Sequence, residues 1–320
     1  MNEVLKKISS YGIVPVVVID DASQAVPLAK ALCDGGLPVA EVTFRTAQAA
    51  EAIGRIAKEV PDMLVGAGTV LTCEQADRAI SAGAQFIVSP GLNTKVVKHC
   101  MEKGVPITPG TSSPSDMEAA LELGLDVVKF FPAEQLGGVA YLKAVSGPFT
   151  SLKFMPTGGI NAANLNEYLS FSKIIACGGS WMVKPELIKA GDFAAVTRLV
   201  REAINTMLGF ELAHVGINCE NEALAEETAK TLCALFGFEY KPGNSSIFAG
   251  SAVECMKSPY LGKNGHIAIK TNSVDRAVAN LTSRGIRFDE SSRKTDAKGA
   301  TKAIYLAGEF AGFALHLVQK

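Results

Sequence analysis

Long apolar runs are missing from this 320-residue sequence. No stretch reaches the roughly 18 apolar residues that a membrane-spanning helix needs. The first residues, MNEVLKKISSYG, also lack the apolar centre of a signal peptide and instead predict a short amphipathic helix. We therefore expect a protein that does not cross a membrane.

An excess of charge of either sign is missing as well. The chain carries 31 basic and 32 acidic residues, for a formal net charge of -1. This balance gives no basis for a nucleic acid or an anionic membrane surface as partner. Hydrophobic residues make up 48% of the chain, which is enough for a substantial core. The partners that we expect are therefore small molecules.

Cysteine pairs at metal-binding or redox spacing are the third absence. The seven cysteines are scattered, odd in number and without a C-x-x-C pair, which argues against a zinc ribbon and a disulfide framework. Most lie within apolar patterns, so we expect buried free thiols. A reducing, cytoplasmic location follows as an expectation.

Residues 1–207 show a repeated strand–helix rhythm. Eight short apolar runs alternate with helical patterns, which predicts an α/β domain with a parallel sheet covered by helices. Eight such units predict a closed (β/α)₈ TIM barrel, with a doubly wound open sheet as the alternative. The predicted strands are Ile13–Ile19, Val39–Phe44, Met63–Gly66, Gln85–Val88, Val105–Thr108, Val127–Phe130, Leu152–Met155 and Lys173–Ala176.

Residues 208–320 instead contain an internal sequence repeat. The segment HVGIN at His214 resembles HIAIK at His266, and a helical pattern and several strand patterns follow each. This predicts an α+β domain of two β-α-β-β-β repeats, which is physically sensible because one such unit cannot bury its own sheet face. Met207–Glu211 is the predicted linker.

Lys129 is the residue that suggests chemistry in the first domain. It lies between two valines and two phenylalanines on the sixth predicted strand, and burial disfavours its ammonium form. A neutral amine can attack a ketone and form a Schiff base. The alternative is a strand-end lysine whose ammonium reaches water.

Other polar residues follow neighbouring strands, at the barrel face where catalytic groups gather. Alternation on the second strand places Glu41, Thr43 and Arg45 on one face. Glu41 is a candidate general acid/base, or alternatively a salt-bridge partner of Arg45. The Arg45 guanidinium suits the carboxylate of a 2-keto acid.

Glycine pairs follow the last two predicted strands, at positions 158–159 and 178–179. This is where barrels commonly bind a phosphate through backbone N–H groups. Ser180 adds a hydroxyl donor. The alternative for each pair is an ordinary tight turn.

With these motifs assembled, the first domain resembles the 2-keto-3-deoxy-6-phosphogluconate / 4-hydroxy-2-oxoglutarate (KDPG/KHG) aldolase family. The resemblance rests on EVTFRT, GAGTV, SPG, VKFFPAE, PTGGI and CGGSW, in this order. It implies metal-free cleavage of a 2-keto-4-hydroxy acid to pyruvate and an aldehyde (glyceraldehyde 3-phosphate or glyoxylate), with Lys129 as the Schiff-base residue and Glu41 as acid/base. It implies a homo-oligomer, typically a trimer, and the substrate-binding residues Arg45, Thr69, Pro90, Phe131, Thr157, Gly158, Gly159, Gly179 and Ser180.

One departure from the family pattern follows the fifth strand. Ser113 stands where a Thr is usual and Asp116 where a Glu is usual. Both are mild changes at a predicted helix start, so they leave the fold prediction unchanged and bear only on aldehyde preference.

The second domain resembles the vicinal oxygen chelate (glyoxalase-like) group. The resemblance rests on AHVGIN, GSAVECM, GHIAIKT and FALHLVQ. It implies metal ligands at His214, Glu254, His266 and His316, a set that suits Zn, Ni, Fe or Mn. The departure is His316, where a Glu is more usual, and the alternative is a metal-free domain used for oligomerisation or for lining the barrel mouth.

Two rival functions remain at this point. The first domain could bind sugar phosphates without catalysis, although such a sensor gains nothing from a buried Lys129. The second domain could carry the principal activity, as a metal-dependent isomerase or dioxygenase.

Overall fold

The computed structural model describes all 320 residues. The chain divides into two compact units, Met1–Met207 and Leu208–Lys320. No helix in the chain combines the length and the apolar character that a membrane span requires.

The first unit alternates strands and helices. Its strands are β1 (Ile13–Val17), β2 (Val39–Thr43), β3 (Leu64–Gly68), β4 (Ile87–Ser89), β5 (Ile107–Thr111), β6 (Val127–Phe130), β7 (Lys153–Pro156) and β8 (Cys177–Gly179). Its helices are α1 (Glu3–Tyr11), α2 (Ala25–Gly35), α3 (Ala49–Glu59), α4 (Cys73–Ser81), α5 (Thr94–Glu102), α6 (Pro114–Glu122), α7 (Gly138–Val145), α8 (Leu165–Leu169), α9 (Pro185–Ala190) and α10 (Phe193–Leu208).

The eight strands form one parallel sheet in the order β7-β6-β5-β4-β3-β2-β1-β8. Its two outer strands come together through isolated bridges, Phe154 with Ile174 and Thr157 with Gly178. The sheet is therefore a nearly closed barrel, and an open doubly wound sheet is excluded. Every residue of β2, β3 and β5 is buried, as expected for strands with side chains in the barrel on one face and under helices on the other.

Local capping fixes where several helices begin. Thr72 and Asn93 accept backbone N–H groups at the starts of α4 and α5. Ser113 and Asp116 form a reciprocal capping box at α6, with Pro114 in its first turn. The unusual residues after the fifth strand are thus fully compatible with a helix start.

The eighth strand prediction was wrong by four residues. Lys173–Ala176 reads as a strand because of its two isoleucines, yet β8 is Cys177–Gly179. Pairing with β1 decides the position, because Ile13 lies opposite Cys177 and Pro15 opposite Gly179. Gly178 and Gly179 therefore lie within the strand, not after it. Helix α9 was not predicted at all.

The second unit contains the same element sequence twice. The first copy is β9 (Glu211–Asn218), α11 (Glu222–Phe236), β10 (Tyr240–Pro242), β11 (Ser246–Ala249) and β12 (Val253–Met256). The second is β13 (Gly265–Thr271), α12 (Val274–Ser283), β14 (Phe288–Thr295), β15 (Thr301–Phe310) and β16 (Phe313–Gln319). This is the element order that the sequence repeat predicts. The predicted linker shortens to Gly209–Phe210, because α10 continues to Leu208.

All eight strands of this unit form one mixed sheet, in the order β10-β11-β12-β9-β13-β16-β15-β14. The two first strands, β9 and β13, lie antiparallel at its centre, with Ala268 opposite His214 and His266 opposite Gly216. Each closing strand runs parallel to its own first strand. The two copies are therefore related by an approximate two-fold axis between β9 and β13.

Candidate active site

Lys129 and Glu41 form a buried pair inside the barrel. Lys129 lies on β6 and Glu41 on β2, with relative exposures of only 5% and 1%. The lysine Nζ is 3.5 Å from Glu41 Oε1. In this conformation Lys129 does not reach water, so that alternative is excluded. The Glu41 carboxylate pairs with Lys129 and not with Arg45.

Glycines on β3 make room for the Glu41 carboxyl group. A Cβ built on Gly68 would lie 2.1 Å from Glu41 Oε1, which is closer than van der Waals contact allows. A Cβ on Gly66 would collide with the ring of Phe86 at 2.4 Å. Neither oxygen of Glu41 has a hydrogen-bond partner within the protein. A buried carboxylate without such partners is costly, so this arrangement suits a group that serves a ligand.

Residues on β5 support Lys129 from the side. Thr111 Oγ1 donates to the Lys129 carbonyl at 3.1 Å, and Gly110 lies opposite Lys129 in the sheet. Thr108, also buried on β5, has a hydroxyl without a partner. None of the three was predicted from the sequence as a site residue, although alternation along β5 places Thr108 and Gly110 on one face.

Phe131 and Pro90 lie at the strand ends, half-buried, as expected for residues that shape a pocket. The Lys129 ammonium is 5.2 Å from the centre of the Phe131 ring. Gly110 packs so tightly against Pro90 that an added Cβ would lie 2.0 Å from the proline carbonyl oxygen. The structure thus brings both residues next to the β5 and β6 exits.

Arg45 and Thr69 meet beyond the ends of β2 and β3. Arg45 Nε donates to Thr69 Oγ1 at 3.3 Å, and the arginine is exposed. Thr69 has a positive φ of 57°, which is uncommon for a residue other than glycine. Such a conformation persists only where the surrounding structure holds it, and it often marks a functional position.

The predicted phosphate residues lie together across the β7–β8 junction. Thr157 is bridged to Gly178, and its buried hydroxyl has no partner. A Cβ on Gly178 would lie 2.4 Å from that hydroxyl oxygen, which explains the glycine. Gly158 and Gly159 both have positive φ, and Ser180 is exposed immediately after β8.

The comparisons with known proteins match this barrel. A model of the family described as KDPG and KHG aldolase matches residues 3–199. The chain belongs to the KDPG and KHG aldolase family. The prediction of a Schiff-base aldolase, a lyase, is confirmed by this membership.

Individual relatives cover the same part of the chain. The 2-dehydro-3-deoxy-phosphogluconate aldolase of Treponema pallidum is 52% identical over 204 residues, which are 64% of this chain and 97% of that protein. The KHG/KDPG aldolase of Escherichia coli K12 is 47% identical over 192 residues, covering 60% of this chain and 90% of its own length. A KDPG aldolase structure from Legionella pneumophila, with pyruvate captured at low pH as a covalent carbinolamine intermediate, has a TM-score of 0.61 and 40% identity, covering 62% of this chain and 97% of that one.

A second polar cluster lies on one face of the C-terminal sheet. Glu254 Oε2 is 3.1 Å from His214 Nε2 and 3.0 Å from His266 Nε2. One nitrogen of each of His214, His266 and His316 lies within 4.8 Å of the others. The structure therefore brings together all four residues that the sequence singled out in this domain.

The sheet register explains why these four residues converge. Glu254 lies opposite Gly216 and His316 opposite Ala268, which are equivalent positions of the two copies. Gly216 must be small, because an added Cβ would lie 2.1 Å from the His266 ring. The cluster thus sits on the approximate two-fold axis.

Burial and hydrogen bonding shape the charges of this cluster. Burial, together with neighbouring His266 and His214, lowers the pKa of His316 to about 3. Burial alone would raise the pKa of Glu254, but hydrogen bonds from His214, His266 and Ser246 hold it well below its usual range. The Ser246 hydroxyl donates to Glu254 Oε1 at 2.5 Å. Ser246 was not predicted from the sequence, since nothing in its local pattern distinguishes it.

An aromatic side chain covers one edge of the cluster. The Tyr305 ring stacks on His316 with ring centres 4.5 Å apart and planes 14° apart. This contact follows from the antiparallel pairing of β15 with β16, which sets Tyr305 opposite His316. Tyr305 was not predicted, although the equivalent position of the first copy, opposite Glu254, is also aromatic, Phe248.

Proposed function

We propose that Lys129 is the Schiff-base nucleophile of this aldolase and that Glu41 moves the protons of the reaction. The observation that carries the proposal is the buried contact of 3.5 Å between the two groups. It gives a low-dielectric position in which an amine and a carboxylate exchange a proton directly or through one water. A lysine in apolar surroundings is the type of residue that attacks a substrate ketone.

The reaction follows from this pair. The Lys129 amine attacks the C2 ketone of a 2-keto-4-hydroxy acid, and Glu41 transfers protons as the carbinolamine loses water to form an iminium. The iminium accepts the electron pair of the C3–C4 bond while Glu41 takes the proton of the C4 hydroxyl, so that an aldehyde leaves. Protonation of the enamine at C3 and hydrolysis then release pyruvate and free Lys129.

Arg45 and Thr69 are the proposed holders of the substrate carboxylate. Their side chains already contact each other at 3.3 Å, and a guanidinium binds a carboxylate in a planar, two-point geometry. Pro90 and Phe131 border the same strand ends and would shape the pocket around the keto acid.

The opposite end of the substrate would lie at Thr157, Gly158, Gly159, Gly179 and Ser180. Glycine turns let backbone N–H groups approach a phosphate closely. We therefore propose 2-keto-3-deoxy-6-phosphogluconate as a substrate that uses this end, with 4-hydroxy-2-oxoglutarate as a second substrate that does not. The relatives named above, a 2-dehydro-3-deoxy-phosphogluconate aldolase and a KHG/KDPG aldolase, support this pair.

Borohydride trapping with pyruvate tests the nucleophile. We expect a stable pyruvate-derived mass on the intact chain, located on the peptide that contains Lys129. Lys173, whose ammonium donates to two backbone carbonyls at 2.6 and 2.7 Å, provides the internal comparison and should stay unmodified. A folded protein that gives no adduct, or an adduct elsewhere, would contradict the assignment.

For the second unit we propose a glyoxalase-like domain that holds one divalent metal ion. The donor set fits such an ion, because Glu254 lies 3.0 to 3.1 Å from two histidines, and imidazole nitrogens and carboxylate oxygens are ligands that Zn²⁺ takes at about 2.0–2.2 Å. His266 and His316 also have ring nitrogens without a partner. A bound ion would supply Lewis-acid chemistry there, with His214, Glu254, His266 and His316 as ligands.

Metal analysis of the purified chain tests this second site. We expect about one equivalent of Zn, Ni, Fe or Mn per chain, and its loss in His266→Ala. His99→Ala is the matched control, because His99 lies in the barrel and pairs with Asp77 at 2.8 Å. Equal metal content in both variants would refute the site.

The proposal also covers the oligomeric state and the cellular compartment of the protein. The family resemblance supports a homo-oligomer, typically a trimer, and light scattering on the purified protein would measure its mass. All seven cysteines are free thiols, which supports a cytoplasmic location because disulfides form in oxidising compartments. Cell fractionation with a specific antibody tests the location.

A further inference from the structure

The turn after β7 is tied to the segment that follows the Lys129 strand. The Ala133 N–H donates to the Thr157 carbonyl at 2.9 Å, and the Glu134 N–H donates to the Gly158 carbonyl at 3.1 Å. The Thr157 N–H donates back to the Phe130 carbonyl at 2.9 Å. The position of the 157–159 turn is therefore set by the chain that leaves β6.

Glu134 packs directly against this turn. Gly159 has a positive φ of 80°, and a Cβ added there would lie 2.4 Å from Glu134 Cγ. The aliphatic part of the glutamate thus fills the space that a side chain at 159 would need. A movement of Glu134 would leave the turn without support on that side.

Tyr168 holds Glu134 in this position. Its hydroxyl donates a short hydrogen bond to Glu134 Oε1. Tyr168, on α8, is the largest fully buried side chain in the protein, so its hydroxyl has a fixed place. Burial and the bond to Glu134 both raise the pKa of Tyr168, which keeps the phenol protonated as a donor.

We propose that the Glu134–Tyr168 pair is a positioning device for the phosphate end of the site and sets the preference for phosphorylated over unphosphorylated substrates. The inference rests on the proposed function, because it takes the 157–159 turn as the place where the phosphate binds. 4-Hydroxy-2-oxoglutarate, which ends in a carboxylate directly after the cleaved C4 and lacks the phosphate, makes little use of this turn. Loss of the pair should therefore raise KM only for the phosphorylated substrate.

Tyr168→Phe is the decisive variant, because it keeps the buried ring and removes only the donor. We expect KM for 2-keto-3-deoxy-6-phosphogluconate to rise about tenfold, the effect of one lost hydrogen bond to a charged group. KM for 4-hydroxy-2-oxoglutarate and kcat for both substrates should stay near the native values. Tyr141→Phe is the matched control, since it also loses a hydroxyl bond, to the Ser112 carbonyl at 3.0 Å, away from the turn.

Two further variants separate packing from charge. Glu134→Gln retains an acceptor for the Tyr168 hydroxyl and should keep KM for the phosphorylated substrate at or below the native value, because it also removes a negative charge. Glu134→Ala removes both packing and acceptor and should match or exceed the effect of Tyr168→Phe. An equal increase in Glu134→Gln and Glu134→Ala would contradict the positioning role.

The remaining outcomes are distinguishable. If Tyr168→Phe impairs both substrates equally, or leaves their ratio unchanged, the positioning proposal is overturned while trapped pyruvate on Lys129 still supports the aldolase site. If native protein gives no pyruvate adduct and cleaves neither substrate, the proposed function itself fails.

Discussion

At the scale of single residues, the proposed barrel chemistry depends on two side chains that are seldom buried in folded proteins, Lys129 and Glu41. A charged group inside a protein costs several kcal/mol unless it is paired, and Lys129 and Glu41 offset part of that cost for each other. The same contact places the proposed nucleophile next to the proposed general acid/base. Stability and activity are thus expected to respond differently to changes at these positions.

Replacing Lys129 by alanine should abolish aldol cleavage, by roughly 10⁴-fold or more, as is typical when a covalent nucleophile is removed. The fold should persist, because the variant leaves the β6 backbone unchanged, but the free energy of unfolding should fall, because Glu41 loses its buried partner. Steady-state cleavage with pyruvate detection measures the loss, and circular dichroism checks the fold. Turnover that survives in a folded variant would end the Schiff-base assignment for this residue.

Replacing Glu41 by glutamine should slow turnover by about 10²- to 10⁴-fold, the usual contribution of a general acid/base. Binding should change little, because the amide has the same size as the carboxyl group and occupies the space left by Gly68. The test is a kcat and KM measurement combined with direct pyruvate binding. The contrary result is weak pyruvate binding with normal turnover, which would make Glu41 a binding residue.

At the scale of elements, strand β3 contributes space, because two of its residues are glycines without a side chain. Its two glycines, Gly66 and Gly68, free space in the barrel for Phe86 and for the Glu41 carboxyl group. Glycine weakens a strand interior, so its presence in a buried strand indicates close approach of a neighbouring group.

Gly68→Ala should therefore displace the Glu41 carboxyl group and reduce kcat about 100-fold, as expected for an ångström-scale misplacement. Gly54→Ala is the matched control: on α3 the nearest atom to its new Cβ would be 3.7 Å away, and it should add up to about 1 kcal/mol of stability. Kinetics and thermal unfolding of both variants provide the comparison. Normal kcat in Gly68→Ala would show that the close contact has no bearing on catalysis.

The elements whose position depends on local sequence pattern could be predicted from the sequence. The strands through β7 and the helix start at Ser113 follow from apolar runs and from the residues around Pro114. Strand β8 was misplaced, because its position depends on pairing with Ile13–Pro15 far away in the chain. Thr108, Ser246 and Tyr305 were missed for a similar reason, since only the sheet register shows which groups they meet.

At the scale of the whole molecule, one chain combines an aldolase barrel with a proposed metal site. The barrel unit needs a lysine and no metal, whereas the four residues His214, Glu254, His266 and His316 have the composition of a metal site. These requirements share no residue. The aldolase activity and the proposed metal site should therefore be separable by reagents that act on only one of them.

A strong chelator should leave aldol cleavage unchanged but lower the thermal stability of the second unit, because a ligand that binds only the folded state stabilises it by mass action. Borohydride with pyruvate should have the reverse effect, stopping cleavage and leaving the metal content unaltered. Calorimetry with and without metal measures the effect on stability, and cleavage assays after each treatment measure the effect on aldolase activity. Loss of aldol activity on chelation would show that the two units depend on each other.

The approximate two-fold axis in the C-terminal sheet also bears on the ancestry of this unit. Each copy contributes half of the cluster, His214 with Glu254 and His266 with His316, so a single copy could complete it only as a homodimer. In such a homodimer both closing strands would necessarily carry the same residue. The difference between Glu254 and His316 could arise only once the gene had been duplicated, which left each copy free to diverge.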